Sequence, residues 1–329
     1  MFAAYRRMPG ACRTAPIVSD MNAGATLRGE DQGLRAKLVM AARDIKLAHS
    51  IFAMPFAILA SFLARPSEAR WSRFVGQLAL VVACMVAART WAMMVNRIAD
   101  RAYDAANPRT ARRAVASGRL GLGEARLIAA GAAGAFVGVC GLFAVFYGNI
   151  WPLALAGLVL GWIALYSYTK RFTALCHVFL GGALAVSPLA AAIAIDPTSL
   201  TRTPALYFVA GFVLVWVAGF DVIYALQDVG FDVERGLHSI PSKLGPERAI
   251  VVSRVLHAVA MVLLIAAWRS DARFGVIFGA ACVMVFGLLV AEHTILAKRG
   301  RAGLNMAFFT VNGVVSCVVG AAGVWDSLV

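Results

Sequence analysis

Two sets of carboxylates stand at helical spacing. NRIADRAYD carries Asn96, Asp100 and Asp104 at intervals of four, and DVIYALQDVGFD carries Asp221, Asp228 and Asp232 at intervals of seven and four. Residues four apart share a helix face, so each set predicts a polar ridge; at about 100° per residue the second set lies within roughly 40°. Left alone, such acids repel one another. A divalent cation removes the repulsion, and oxygen donors without His or Cys select magnesium, which keeps water and takes one or two carboxylates plus substrate phosphates. The candidate metal ligands are Asn96, Asp100, Asp104, Asp228 and Asp232, the four Asp among them being the candidate catalytic residues.

Phosphate also needs cations. The candidates are Arg109, Arg112 and Arg113 after the first ridge, Lys170 and Arg171 in YSYTKR, and Lys243 after the second ridge. A magnesium-bound diphosphate in a basic mouth above an apolar bundle points to a lipid diphosphate whose tail enters the membrane. The expected chemistry is departure of that diphosphate, helped by metal and cations. The resulting allylic cation would sit among ring faces such as Phe52, Tyr166, Tyr168, Tyr207 and Tyr224 until an aromatic acceptor captures it.

The elements that must hold these residues are membrane helices. Of 329 residues 61% are hydrophobic and 15% charged, with a mean hydropathy of +0.77, far above the roughly 45–50% apolar content of soluble domains. Apolar runs of spanning length predict an all-α polytopic protein with nine transmembrane helices, near 48–64, 74–98, 126–146, 150–168, 174–195, 205–227, 249–268, 274–296 and 305–326. A carboxylate at the centre of such a bilayer costs on the order of 3 kcal/mol, so the ridges require a function. With the N-terminus inside, 24 Lys/Arg fall in inner segments and six in outer loops, which predicts N-in, C-out. Both ridges then end on the cytoplasmic side. The net charge of +14 is a topology signal, not a nucleic-acid one. Arg89 alone falls deep inside a span, away from its ends, and receives no role.

Six cysteines show no CxxC or Cys/His spacing, which predicts neither disulfides nor zinc. Residues 1–33 form an expected disordered extension. From 34 onward the chain is one membrane domain, entered by an interfacial helix over Leu34–Ala48 with Lys and Arg opposite an apolar stripe. The ridges are offset by 128 residues, a hint of two related bundles.

At these residues the chain resembles the UbiA superfamily of intramembrane aromatic prenyltransferases, over roughly residues 34–326. Asn96-x-x-x-Asp100-x-x-x-Asp104 and Tyr224-Ala225-x-x-Asp228-x-x-x-Asp232 match its two signatures. The resemblance implies nine helices around a central cavity and magnesium-dependent transfer of a polyprenyl chain from its diphosphate to an aromatic acid or quinone precursor. It is closest to the 4-hydroxybenzoate branch, where Lys170-Arg171 match a Lys-Arg pair, and Arg43 and Lys46 match an Arg and a Lys at the mouth of the first helix. The implied acceptor-binding residues are Arg43 for the carboxylate, with Lys46, His49, Asp221 and Tyr224. Arg97 and Leu47 depart from the pattern. LAHSIFAMPFA and GLHSIPSKLG are instead phrases of a sub-branch linked to menaquinone, so 1,4-dihydroxy-6-naphthoate stands beside 4-hydroxybenzoate as acceptor. The expected localisation is the inner membrane, with lipid as the remaining partner. A carboxylate-lined transporter is the alternative of a different class, although its acids belong near the midplane rather than beside basic loops.

Overall fold

The computed structural model describes residues 52–300, Leu304 and residues 306–329. The expected extension and interfacial helix lie outside these residues, and with them Arg43, Lys46 and His49. Every regular element among the described residues is helical: α1 (Met54–Ala64), α2 (Trp71–Ala99), α3 (Arg101–Ala106), α4 (Leu122–Tyr147), α5 (Trp151–Thr169), α6 (Cys176–Ile195), α7 (Ser199–Arg202), α8 (Ala205–Ala225), α9 (Val229–Glu234), α10 (Ile240–Leu244), α11 (Pro246–Ser270), α12 (Val276–Arg299), a π-helical turn (Met306–Val311) and α13 (Asn312–Asp326). Eight helices are long and apolar enough to cross a bilayer, where backbone groups find no water and must bond within the helix. They coincide with the second to ninth expected spans. The 11-residue α1 is the described part of the first.

Helix α8 is the pillar of the bundle, the most deeply buried of the eight spanning helices, whereas α2 is the least. It packs between α6 and α11. Its contact with α6 is close because residue 181 is glycine: a Cβ there would stand 2.1 Å from the Leu214 carbonyl oxygen. Small residues at such crossings let helices gain dispersion contacts where lipid supplies no hydrophobic drive. On another face of α8, Trp216 packs on Phe56 and Phe212. The Trp216 indole N–H donates to Asn312 Oδ1 at 2.8 Å, and Asn312 Nδ2 donates to the fully buried Glu292 at 2.9 Å. Pro188 breaks the bonding of α6, but the Ser187 hydroxyl donates to the freed Leu184 carbonyl at 2.7 Å. The side chain restores the bond that proline cannot make.

Both ridges differ from the unbroken helices their spacing predicts. Helix α2 stops at Ala99, Asp100 takes φ −92° and ψ 8°, and the six-residue α3 follows. Helix α8 stops at Ala225, Asp228 takes φ −106° and ψ 5°, and the six-residue α9 follows. The two motifs therefore share one backbone plan: a junction Asp, then an Asp in the first turn of a short helix. Residues 226–228 are wound by bonds to the third residue back, a tighter turn than the α-helix. The 40° estimate for the second ridge assumes an unbroken helix, which this tighter turn interrupts, yet Asp221, Asp228 and Asp232 still line one cavity.

Candidate active site

The first motif is held by its own backbone and by one amide. Asp100 N–H donates to Asn96 O at 2.9 Å, and Asp104 N–H to Asp100 O at 2.7 Å. Asn96 Nδ2 donates to Asp100 Oδ2 at 3.0 Å, while its Oδ1 accepts from Arg97 at 2.9 Å. Asn96 thus orients Asp100 through its nitrogen, while its oxygen accepts from Arg97 and keeps a second lone pair for the metal contact expected from sequence. Arg97 is buried at 8% exposure; its departure from the family pattern serves this amide.

Four cations meet four acids, and two chain segments supply them. After the first motif, Arg113 Nη1 binds both Asp104 oxygens at 2.7 and 2.9 Å. From the same segment Arg109 crosses to pair with Asp228, joined by Asn107 Nδ2, which donates to Asp228 Oδ1 at 3.0 Å. At the end of α5, Arg171 faces Asp100 at 3.4 Å and Lys170 reaches Asp232 at 2.7 Å. Each basic segment thus places one cation on each motif. Asp232 is fully buried and also accepts from the Ser239 hydroxyl at 3.0 Å. Burial pushes the Asp100 carboxyl above its ordinary range, and Asp104 adds to the shift. Burial of Asp228 is outweighed by its bond to Arg109, which holds that carboxyl low.

These residues line one polar cavity of about 200 Å³ together with Tyr103, Thr110, His177, Asp221 and Tyr224. Beside it lies an apolar cavity of about 430 Å³, walled by α2, α4, α5 and α6. Tyr166 and Leu180 line both. A charged chamber thus adjoins an oily one across these two shared wall residues, an arrangement suited to an amphiphile with an anionic head. Arg89 lines the apolar chamber, and its Nε is buried without a hydrogen-bond partner.

Lys170, Arg171 and Arg113 line the polar chamber as expected from sequence, as do Asp221 and Tyr224. Arg112 and Lys243 do not: both are exposed outside its wall, so their position gives no contact to a diphosphate there. Of the aromatics, Tyr166 and Tyr224 face the chambers. Tyr207 is 52% exposed on the helix surface, and Phe52 packs on Phe220 and Phe308. Arg109 lines the polar chamber as well, while Asn107, Ser239 and His177 enter the site with no role assigned from sequence.

The donor set fits magnesium. Among the described residues no three His, Cys, Asp or Glu side chains converge into a cage. A magnesium ion needs none, since it takes one or two carboxylates and completes its shell with water and phosphate oxygens. Asp100, Asp104, Asp228 and Asp232 supply such carboxylates on both sides of a phosphate-sized chamber.

The profile of the UbiA prenyltransferase family matches residues 53–314. A 4-hydroxybenzoate octaprenyltransferase from Nitrosospira multiformis is 31% identical over 247 residues, covering 73% of this chain and 79% of its own length. A UbiA homologue from Aeropyrum pernix K1 superposes with a TM-score of 0.74 at 30% identity, covering 84% of this chain and 98% of that one. A UbiA homologue from Archaeoglobus fulgidus, solved bound to GPP and Mg2+, shares the fold with a TM-score of 0.65 at 15% identity, over 88% of this chain and 100% of that one.

Proposed function

Because the chain belongs to the UbiA prenyltransferase family, we propose that it moves a polyprenyl group from its diphosphate onto a hydroxylated aromatic acid, with 4-hydroxybenzoate the favoured acceptor. The observation that supports this reading most is that the two chambers adjoin, with Tyr166 and Leu180 in the wall of both. The diphosphate lies in the polar chamber and the tail in the apolar one. Bound to Asp100, Asp104, Asp228 or Asp232, magnesium would neutralise diphosphate oxygens as the bond to the prenyl carbon breaks. Arg109, Arg113, Lys170 and Arg171 exchange their carboxylate partners for phosphate oxygens, so cations and donor enter a site already balanced in charge. The leaving diphosphate takes the C1–O electron pair. Ring electrons next to the acceptor hydroxyl form the new C–C bond, and the ring proton passes to a carboxylate or diphosphate oxygen. The surplus of Lys and Arg in inner segments supports a cytoplasm-facing site in the inner membrane.

Arg89 completes the acceptor side. An unpartnered buried guanidinium nitrogen in an apolar wall calls for an anion, and the acceptor carboxylate is the anion this reaction supplies. Arg89→Met is expected to lower kcat/KM for 4-hydroxybenzoate by on the order of tenfold to a hundredfold, in line with about 1.5–3 kcal/mol for a charged hydrogen bond. It should leave a decarboxylated phenol unchanged. Equal losses on both acceptors would remove the assignment. The reading as a whole is tested by incubating purified protein with a polyprenyl diphosphate, magnesium and each acceptor in turn, followed by mass spectrometry. A product from 4-hydroxybenzoate supports it. A product from 1,4-dihydroxy-6-naphthoate alone transfers the reading to that acceptor, and none from any phenolic acid refutes it.

A further inference from the structure

His177, on α6, stands between the polar chamber and the turn that starts α10. Its Nδ1 lies 2.7 Å from Asp221 Oδ2, and its Nε2 accepts the Ile240 backbone N–H at 3.2 Å. A nitrogen that accepts a backbone N–H carries no proton, so the proton sits on Nδ1 and is donated to Asp221. His177 is 2% exposed and Asp221 20%: the ring is locked inside the wall, while the carboxylate keeps access to the chamber. The turn that fixes the ring is itself fixed. Ser239, the residue before Ile240, donates to Asp232, and the His238 N–H donates to Lys170 O at 2.7 Å.

We infer that His177 is a positioning residue that holds Asp221 as the hydrogen-bond acceptor for the ring hydroxyl of the aromatic substrate. This assignment rests on the transfer reaction proposed above. Asp221 pairs with none of the four cations that serve the diphosphate acids, and its one polar partner among the described residues is His177. As the new C–C bond forms and the ring becomes cationic, its hydroxyl becomes more acidic and its bond to a carboxylate strengthens. An interaction that strengthens toward the transition state acts on kcat more than on KM. The donated Nδ1 proton keeps one Asp221 oxygen occupied and leaves the other for the substrate.

The test compares His177→Asn, His177→Gln and His177→Phe. An Asn amide nitrogen falls near the place of Nδ1, whereas that of Gln falls near Nε2. The expected result is that His177→Phe and His177→Gln lower kcat for aromatic transfer by about tenfold or more, with the Kd for geranyl diphosphate in the presence of magnesium within twofold of wild type. His177→Asn recovers most of the rate. In an Asp221→Asn background, His177→Phe should add little further loss. Asn and Gln variants behaving alike, or donor affinity falling with the rate, would reduce His177 to packing and overturn the inference. Wild-type transfer matched by His177→Phe overturns it as well, with the prenyltransferase reading intact. No transfer by wild type refutes that reading and this inference with it.

Discussion

Asp232→Asn is expected to lower prenyl transfer by on the order of 10²–10³-fold while the protein still folds. The amide keeps the volume of the fully buried carboxylate and can still accept from Ser239. What it loses is charge. Lys170, 2.7 Å away, then lacks its counterion before donor arrives, and one side of the chamber loses an anionic magnesium ligand. Loss of one preorganised charge-stabilising group in an enzyme site costs about 10²–10³ in kcat. Raising the magnesium concentration should recover part of the rate, because the defect lies partly in metal affinity. Arg112→Ala and Lys243→Ala supply the contrast. Both side chains are exposed outside the chamber wall, so transfer should remain within about twofold, the range of surface changes with no buried partner. Steady-state rates across a magnesium titration check all three variants, and an unimpaired Asp232→Asn enzyme would remove this carboxylate from the site.

Gly181→Ala is expected to destabilise the bundle and disturb catalysis together. A Cβ at this position would meet the Leu214 carbonyl oxygen at 2.1 Å and its carbon at 3.0 Å. Neither is the movable end of a side chain, so α6 and α8 must separate. Overpacking of this kind costs typically 1–3 kcal/mol. The same two helices carry His177 and Asp221, so their separation is expected to stretch the 2.7 Å bond between them. The variant should therefore show a lower melting temperature in detergent and a loss of kcat like that of His177→Phe. Gly131→Ala is the control, because a Cβ there meets nothing within 4 Å and alanine favours a helix over glycine by about 0.5–1 kcal/mol. Equal melting temperatures for wild type and Gly181→Ala would show that the crossing is not as tight as described.

Much of this site is legible in sequence because its spacing is local. Asn96, Asp100 and Asp104 announce themselves by recurrence at four residues in a chain too apolar to hold charges idly, and Asp228 and Asp232 repeat the pattern. The spans are legible for the same reason: length and hydropathy are properties of a window. The pairings are not. Arg109 and Asn107 meet Asp228 across more than a hundred residues, and no local pattern encodes which loop arginine turns inward. Arg112 and Arg113 are neighbours of identical type, yet Arg113 binds Asp104 and Arg112 faces outward. The junctions at Asp100 and Asp228 are also hidden, since residue spacing alone does not tell an unbroken helix from one that tightens for a turn. Arg89 is visible as a charge inside a span, but its meaning comes only from the apolar cavity around it. The role of His177 is hidden in sequence, because it depends on a carboxylate from α8 and a backbone N–H from α10 meeting on either side of one ring.

The central claim is that the two motifs and their four crossing cations form one magnesium-dependent diphosphate site. Calorimetric titration of the purified protein with geranyl diphosphate, with aromatic acceptor omitted, tests it most directly. The account requires binding in magnesium that weakens by at least about tenfold when the metal is chelated, and a similar loss in magnesium when either Asp104→Asn or Asp232→Asn is introduced, one from each motif. Binding that is equally tight without magnesium, or that survives the loss of one motif's acid while failing with the other, would contradict it.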